Sequence, residues 1–149
     1  MTYSASDLPR AARALSLAAR SLERAAAVRD LTLAQFRILA LIAAGDERST
    51  LLAERLAVAK PTITAVVDGL VERGFVAREA VVGDRRSIRV VLTPAGVAAL
   101  RAAEDEMAET LGRIFEHARK RDALLDALLD LDDALALRME ARLRGGVAT

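Results

Sequence analysis

Residues 61–96 have the sequence PTITAVVDGLVERGFVAREAVVGDRRSIRVVLTPAG, and this stretch decides the fold. Its first part predicts a helix, because apolar residues between Pro61 and Gly74 recur with the i, i+3, i+4, i+7 spacing of one helix face. Proline is favoured in the first turn of a helix and glycine just after the last turn, which matches their positions here. The opposite face carries short side chains such as Thr62 and Thr64, so we expect it to approach a surface closely.

A β-hairpin is predicted directly after this helix. Residues 75–82 and 87–92 are rich in valine and isoleucine, and the second segment alternates apolar and polar side chains with the period of a strand. The intervening residues 83–86 are Gly-Asp-Arg-Arg, which predicts a turn with two adjacent arginines at the tip of the hairpin. Thr93 and Pro94 then provide the N-cap and the first residue of another helix.

A second short helix is predicted before the one that begins near Pro61. Ser49 or Thr50 can cap it, and a tight connection at residues 57–60 joins the two helices. Two short helices joined by a tight turn outline a helix-turn-helix. Together with the hairpin they predict a winged helix, in which one helix enters the major groove of DNA and the hairpin reaches an adjacent minor groove.

Long amphipathic helices flank this central part. Between Asp7, which can act as an N-cap, and residue 29, leucine and alanine alternate four and three residues apart along one face. Thr32 and Gln35 have the spacing of a capping box at the start of the next helix. Residues 94–146 contain two more helices with apolar stripes. The sequence thus predicts a mainly α fold: a winged helix-turn-helix with a two-stranded β wing, flanked by long helices.

Composition excludes several classes of function. The chain has 149 residues, 53% hydrophobic and 29% charged, which suits a single domain over residues 1–149 with its own core. It contains no cysteine and one histidine, so we expect no metal site, no thiol chemistry and no cofactor. No nucleophile is paired with a base and no phosphate-binding loop occurs, so we do not expect an enzyme. No long uncharged apolar stretch occurs either, and we expect a cytoplasmic protein that does not enter a membrane.

Positive charge is concentrated in the middle of the chain. Residues 48–89 contain eight basic and five acidic residues, a net charge of +3, whereas the whole chain carries +1. Acidic residues collect instead between Glu104 and Asp133. This asymmetry predicts that double-stranded DNA binds the middle segment. The candidate phosphate contacts are Lys60, Arg73, Arg78, Arg85, Arg86 and Arg89.

These residues resemble those of the MarR-type winged-helix transcriptional regulators. The wing pattern of that family is Asp, any residue, Arg, and then Leu-Thr with a Gly three residues after the Thr, and it is met between Asp84 and Gly96. Pro61-Thr-Ile-Thr and Leu70-Val-Glu-Arg-Gly74 precede it, and the helix order is similar over essentially the whole chain. The resemblance implies a homodimer on a pseudo-palindromic operator, acting as a ligand-responsive repressor.

The resemblance also implies a division of the chain into two parts. Residues 30–93 would form the DNA-binding winged helix-turn-helix, and residues 5–29 and 94–146 the dimerisation helices. The apolar faces of these helices leave more surface than a monomer of this size covers. The candidate dimer-interface residues are Leu8, Leu15, Leu22, Leu124, Leu128, Leu131 and Leu135.

Roles in DNA binding follow from the resemblance residue by residue. Arg86 resembles the wing-tip arginine that enters the minor groove, and Asp84 resembles the carboxylate that orients it by a charge-assisted hydrogen bond. An ordinary turn pair is the alternative for these two residues. Pro61, Thr62 and Thr64 correspond to the start of the recognition helix, where amides and hydroxyls hold phosphates. The two hydroxyls can instead form local bonds within the helix.

The chain departs from the family at two positions. Ala65 stands where many members have an arginine, and Ala59 stands where a capping hydroxyl is common. Sequence readout would then rest on threonine contacts, thymine methyl groups and groove shape. Together with the low net charge, these departures motivate an alternative function: a dimeric winged-helix module for protein interaction, with weak or lost DNA binding.

In the family a small effector, often aromatic or phenolic, binds between the dimerisation helices and the winged helix and shifts the population of DNA-competent dimers. Phe36 and His117 are the candidates to border such a pocket in this chain. Each has a simpler interpretation, Phe36 as a core residue and His117 as a surface residue near a helix end.

Overall fold

The computed structural model describes residues 4–45, 48–81 and 84–145, and the side chains of residues 49, 50, 84–87 and 143–145 lie outside this description. Helices and one two-stranded antiparallel sheet build the described part, which confirms the predicted winged-helix class. The elements in chain order are α1 (Asp7–Val28), α2 (Leu33–Ala43), α3 (Ser49–Leu56), α4 (Lys60–Glu72), β1 (Val76–Val81), β2 (Asp84–Leu92), α5 (Pro94–Phe115) and α6 (Arg121–Gly145).

The capping box at the start of α2 is confirmed. The backbone N–H of Gln35 donates to the Thr32 hydroxyl over 3.1 Å, and the N–H of Thr32 donates to Gln35 Oε1 over 3.0 Å. Two unpaired amides of the first helical turn are satisfied in this way, which fixes where α2 begins.

The predicted caps of α1 and α3 are wrong by one or two residues. Ser6 occupies the cap position of α1. Asp7 lies inside the first turn, where its carboxylate accepts a hydrogen bond from the Ser4 N–H (2.8 Å), and this bond lowers the pKa of the Asp7 carboxyl group. In α3 the extended backbone of Arg48 is the cap, so the helix already includes Ser49 and Thr50.

The core lies around α2, which contacts α1, α4, α5 and β2. α5 adds the buried stripe of Leu100, Ala103 and Met107, as the helical spacing predicts. By contrast, α6 has hardly any contact with the other described elements. The largest fully buried side chains are Leu31, Ile38, Leu39, Leu52, Ile63, Val67, Leu70 and Val90.

The hairpin strands are present, but β2 begins earlier than predicted. β1 and β2 pair in regular antiparallel register from Val76 opposite Leu92 to Ala80 opposite Ile88, and the next pair is Val81 opposite Asp84. The backbone of residues 84–86 therefore belongs to β2, so the predicted turn is wrong for these three residues, and Gly83 lies outside the described residues. The register shift after Ala80 is the reason, because it lets the second strand continue past the regular ladder.

A tight joint connects the end of α4 to the start of α5. Gly74 has φ +70°, a conformation that favours glycine, and turns the chain into β1. The Thr93 hydroxyl lies 2.6 Å from the Gly74 carbonyl oxygen and also accepts the Gly96 N–H over 3.0 Å. A Cβ on Gly96 would lie only 1.9 Å from the carbonyl oxygen of Phe75, so this position requires glycine.

Substitution Gly96→Ala is expected to lower the free energy of unfolding by about 2–3 kcal/mol or more, since a methyl group there meets rigid backbone. The matched control is Gly112→Ala in the same helix, where nothing lies within 4 Å of the added Cβ. This control should be neutral or stabilising by up to about 1 kcal/mol. Urea unfolding at one protein concentration measures both changes, and equal stability of the two variants would contradict the packing at this joint.

Candidate nucleic-acid interface

The start of α4 presents a small polar surface to solvent. Ala57 has a left-handed backbone (φ +52°) and turns the chain out of α3, and Ala59 is extended just before α4. α4 then buries Ile63, Val67 and Leu70 on one face. The residues predicted for DNA contact lie exposed on its other side; they are Lys60, Pro61, Thr62 and Thr64.

The two threonines of this surface differ in their hydrogen bonding. The Thr64 hydroxyl donates to the Lys60 carbonyl oxygen over 3.0 Å, one helical turn back, which is the local bond that threonine commonly forms in a helix. Within the described part of the chain, Thr62 forms no side-chain hydrogen bond. Thr62 therefore has a hydroxyl available for a ligand, whereas Thr64 has its hydroxyl engaged.

Two of the predicted cations are held in ion pairs. The Arg78 guanidinium pairs with Asp68, which links β1 to the middle of α4. Arg89 donates to Glu79 Oε2 over 2.8 and 3.1 Å, across the strand pair in which these residues face each other. These carboxylates were not predicted as partners. The hairpin register could have indicated Glu79, whereas only the packing of α4 against β1 reveals Asp68.

Arg73 has a different environment from the other predicted cations. Its guanidinium donates to the Asp30 carbonyl oxygen over 2.7 Å and to Gln35 Oε1 over 3.4 Å. It also lies 4.5 Å from the centre of the Phe75 ring, within the range of a cation–π contact. The structure thus gives Arg73 an intramolecular role, although the residue itself is exposed.

The wing arginines lie partly outside the description. The backbone of Asp84, Arg85 and Arg86 begins β2, but their side chains are outside the described residues. The predicted hydrogen bond between Asp84 and Arg86, and the entry of Arg86 into the minor groove, therefore stay predictions.

A cleft of about 390 Å³ lies between α1 and α5, and His117 lines it together with Arg24, Arg113, Val28 and Ile114. Phe36 does not line this cleft; its half-buried ring packs against the core instead. The structure thus separates the two candidate effector residues. Among the described residues there is no group of three or more His, Cys, Asp or Glu side chains that could hold a metal ion.

Four of the seven predicted dimer-interface leucines are exposed. Leu8 is 66% exposed and Leu15 is 47% exposed on α1, and Leu135 is 49% exposed on α6. Leu124 is also exposed, and Leu22, Leu128 and Leu131 are half-buried. None of the described helices is both long enough and apolar enough to cross a membrane.

Comparison with known proteins agrees with this architecture. The chain matches the model of the MarR family over residues 29–87. A MarR-family transcriptional regulator from Silicibacter pomeroyi is 30% identical, with 80% of this chain and 82% of that chain covered and a TM-score of 0.60. No curated protein sequence matches the chain significantly.

Two further solved structures share the fold at lower identity. A MarR-family regulator from Rhodococcus sp. RHA1 is 22% identical, covers 91% of this chain and 96% of its own, and has a TM-score of 0.74. CouR from Rhodococcus jostii RHA1, solved with p-coumaroyl-CoA bound, is 22% identical. The match covers 88% of this chain and 92% of that chain, with a TM-score of 0.72.

Proposed function

The chain belongs to the MarR family of transcriptional regulators, and we propose that it is a homodimeric, ligand-responsive repressor that binds a pseudo-palindromic operator. The observation that carries this proposal is the exposed start of α4, where short side chains stand on a helix whose other face is buried in the core. Such a face fits a major groove. Members of this family are transcription regulators and not enzymes, so we propose no reaction.

In this proposal the start of α4 is the recognition surface. Lys60 contacts a phosphate, and Thr62 donates its hydroxyl to a phosphate or a base edge. Because the Thr64 hydroxyl is bound to the Lys60 carbonyl, Thr64 offers mainly its methyl group, which suits contact with a thymine methyl. Pro61 and the short Ala65 allow the backbone to lie deep in the groove.

The wing supplies the contact in the minor groove. Arg86 enters a narrow A·T-rich groove, whose negative potential attracts a guanidinium, and Asp84 orients it. Arg85 meets a nearby phosphate. The family wing pattern at these positions supports the assignment, as does the start of β2 at Asp84, which puts all three residues at the far end of the hairpin.

The carboxylates paired with Arg78 and Arg89 lower the affinity for DNA that we expect. Asp68 and Glu79 neutralise part of the positive charge of Arg78 and Arg89, which weakens the attraction of these arginines for phosphates. Both pairs are about half-exposed, so each is weak and exchangeable. This neutralisation also favours the second candidate function, a winged-helix module for protein interaction, which predicts weak DNA binding.

The dimer is proposed from the uncovered leucines of α1 and α6. A long helix with an apolar face and hardly any contact to its own chain needs a second surface to cover it. A second copy of the chain provides that surface through the same helices.

We also propose that an effector binds the cleft between α1 and α5. Arg24, Arg113 and His117 can attract an anionic group, because Glu106, the carboxylate of the same lining, is paired with Arg29. Val28 and Ile114 can contact an aromatic ring. The related CouR was solved with p-coumaroyl-CoA, which combines an aromatic ring with anionic groups. A small aromatic or phenolic acid is the effector class that this lining fits.

Mobility shifts with the intergenic DNA upstream of the gene test the function. We expect salt-sensitive binding, which Arg86→Ala weakens by about 1–3 kcal/mol. Arg85→Ala should cost less and reduce the salt slope by roughly one. Asp84→Ala should weaken binding, because Arg86 loses its orientation.

Far-UV circular dichroism checks that each variant is folded. Absence of salt-sensitive binding would favour the protein-interaction module, and tighter binding by Asp84→Ala would show that the carboxylate only repels phosphates.

A charge substitution on α4 tests the role of the ion pair. Asp68→Asn should free Arg78, raise the affinity for unrelated DNA and steepen the salt slope by about one contact. Glu72→Gln is the matched control, since it removes the same charge from an exposed position of the same helix. Fluorescence anisotropy at several salt concentrations measures both. Identical effects of the two variants would mean that Asp68 acts by net charge alone.

Light scattering tests the dimer. The combined substitution Leu15→Glu and Leu131→Glu should give monomers or aggregates, since it buries carboxylates in the proposed interface. Leu17→Glu is the control, because this leucine is 70% exposed and lies off the apolar seam of α1. It should leave the dimer intact. A stable dimer of the double variant would show that the interface lies elsewhere.

A further inference from the structure

We propose that Arg73 is a positioning residue that fixes the angle of the recognition helix relative to the dimerisation helices. It does so by binding the joint between α1 and α2, and it makes the protein discriminate between operators with different spacings of their half-sites. This inference rests on the proposed function, because it concerns how a dimer aligns two α4 helices with one DNA.

Arg73 is the residue that ends α4. It follows the last helical residue and precedes Gly74, where the chain turns into β1. Its guanidinium reaches back to the Asp30 carbonyl oxygen over 2.7 Å and to Gln35 Oε1 over 3.4 Å. The same group packs on the Phe75 ring at 4.5 Å. One side chain thus connects the end of the recognition helix with the joint between α1 and α2.

The acceptors lie in a segment that is itself closely constrained. Asp30 follows α1 with φ +55°, a left-handed conformation that costs energy for a residue other than glycine. Leu31 is only 1% exposed and anchors the joint in the core. Gln35 Oε1 also accepts the Thr32 N–H, so the oxygen that binds Arg73 belongs to the capping box of α2. Arg73 therefore binds fixed groups.

The joint is also connected to α5. Arg29 precedes Asp30 and pairs with Glu106 of α5 over 3.3 Å, and the Glu106 side chain is mostly buried. The end of α1 is thus held to α5 on one side and to the end of α4 on the other. Since α1 carries part of the proposed dimer interface and α5 belongs to the predicted dimerisation segment 94–146, this joint would transmit the dimer geometry to α4.

The contacts of Arg73 require an arginine. Both hydrogen bonds come from Nη1, so the rest of the planar guanidinium can stack on the Phe75 ring at the same time. A lysine has a single compact ammonium group and cannot reproduce that combination. The role also differs from a phosphate contact, because the donors are directed to the protein backbone and to an amide oxygen.

A dimer of winged helices binds half-sites about one helical turn apart. Inserting one base pair moves the second half-site by roughly 3.4 Å and rotates it around the duplex. If the joint holds α4 rigidly, the dimer binds the displaced half-site poorly. If the joint is loose, α4 can shift and the dimer still binds it. Loss of Arg73 should therefore weaken the discrimination between spacings and leave the salt slope of DNA binding unchanged.

The experiment compares the full-length parent with Arg73→Ala and Arg73→Lys on two DNAs, the operator and the same operator with one base pair inserted between half-sites. We expect the parent to prefer the operator by at least about tenfold. In both variants this preference should fall to about threefold or less, and the salt slope of DNA binding should not change. Arg37→Ala is the matched control, since it removes an exposed arginine of α2 that forms no described hydrogen bond or ion pair. It should keep the spacing preference.

Hydrogen exchange gives a second readout that needs no DNA. In Arg73→Ala the amides of Asp30 and Leu31 should exchange faster, while those of Leu39 and Leu100 in the core should not change. A fall of the salt slope by about one with an intact spacing preference would identify Arg73 as a phosphate contact and overturn the proposal. If the parent binds no DNA, the proposed function fails. In that case, unchanged hydrogen exchange of Asp30 and Leu31 in Arg73→Ala would by itself overturn the positioning role.

Discussion

The approach of the Phe75 carbonyl oxygen to Gly96 is the constraint on which the rest of the structure depends. No side chain fits between them, and the Thr93 hydroxyl bonds to the Gly74 carbonyl at the same place. The segment that directly follows the recognition helix and the start of α5 are therefore in contact, with the wing between them in sequence. This contact explains in physical terms why Leu92 at the end of β2 and Thr93 at the cap of α5 are followed by a glycine three residues after the threonine.

Local signals predicted most of the fold. The capping box of Thr32 and Gln35 and the cap at Thr93 involve groups three residues apart, so the sequence alone contains both partners. The start of β2 could not be predicted in the same way. Gly83 followed by Asp84 favours a turn locally, but the pairing of Asp84 with Val81 depends on the register shift in the ladder, which involves both strands.

In the candidate interface, too, the sequence predicted what depends on local spacing and did not predict what depends on other elements. The exposure of Lys60 and Thr62 follows from the helical period of α4, and the sequence was sufficient to predict it. The environments of Arg78 and Arg73 were not predictable, since their partners lie on other elements: Asp68 on α4, and Asp30 at the joint between α1 and α2. A count of basic residues treats all of these as equivalent cations, whereas the structure pairs Arg78 and Arg89 with carboxylates and binds Arg73 to the joint between α1 and α2.

In the proposed dimer, the joints around Arg73 and Gly96 hold the two recognition helices at a fixed separation. The chain has no cysteine, so Glu72→Cys at the exposed end of α4 can carry a single spin label. Pulsed electron paramagnetic resonance then measures the distance between the two labels of the dimer. The account predicts one narrow distribution on the order of one DNA turn, or ~34 Å. A broad distribution, or no coupling between labels, would contradict it.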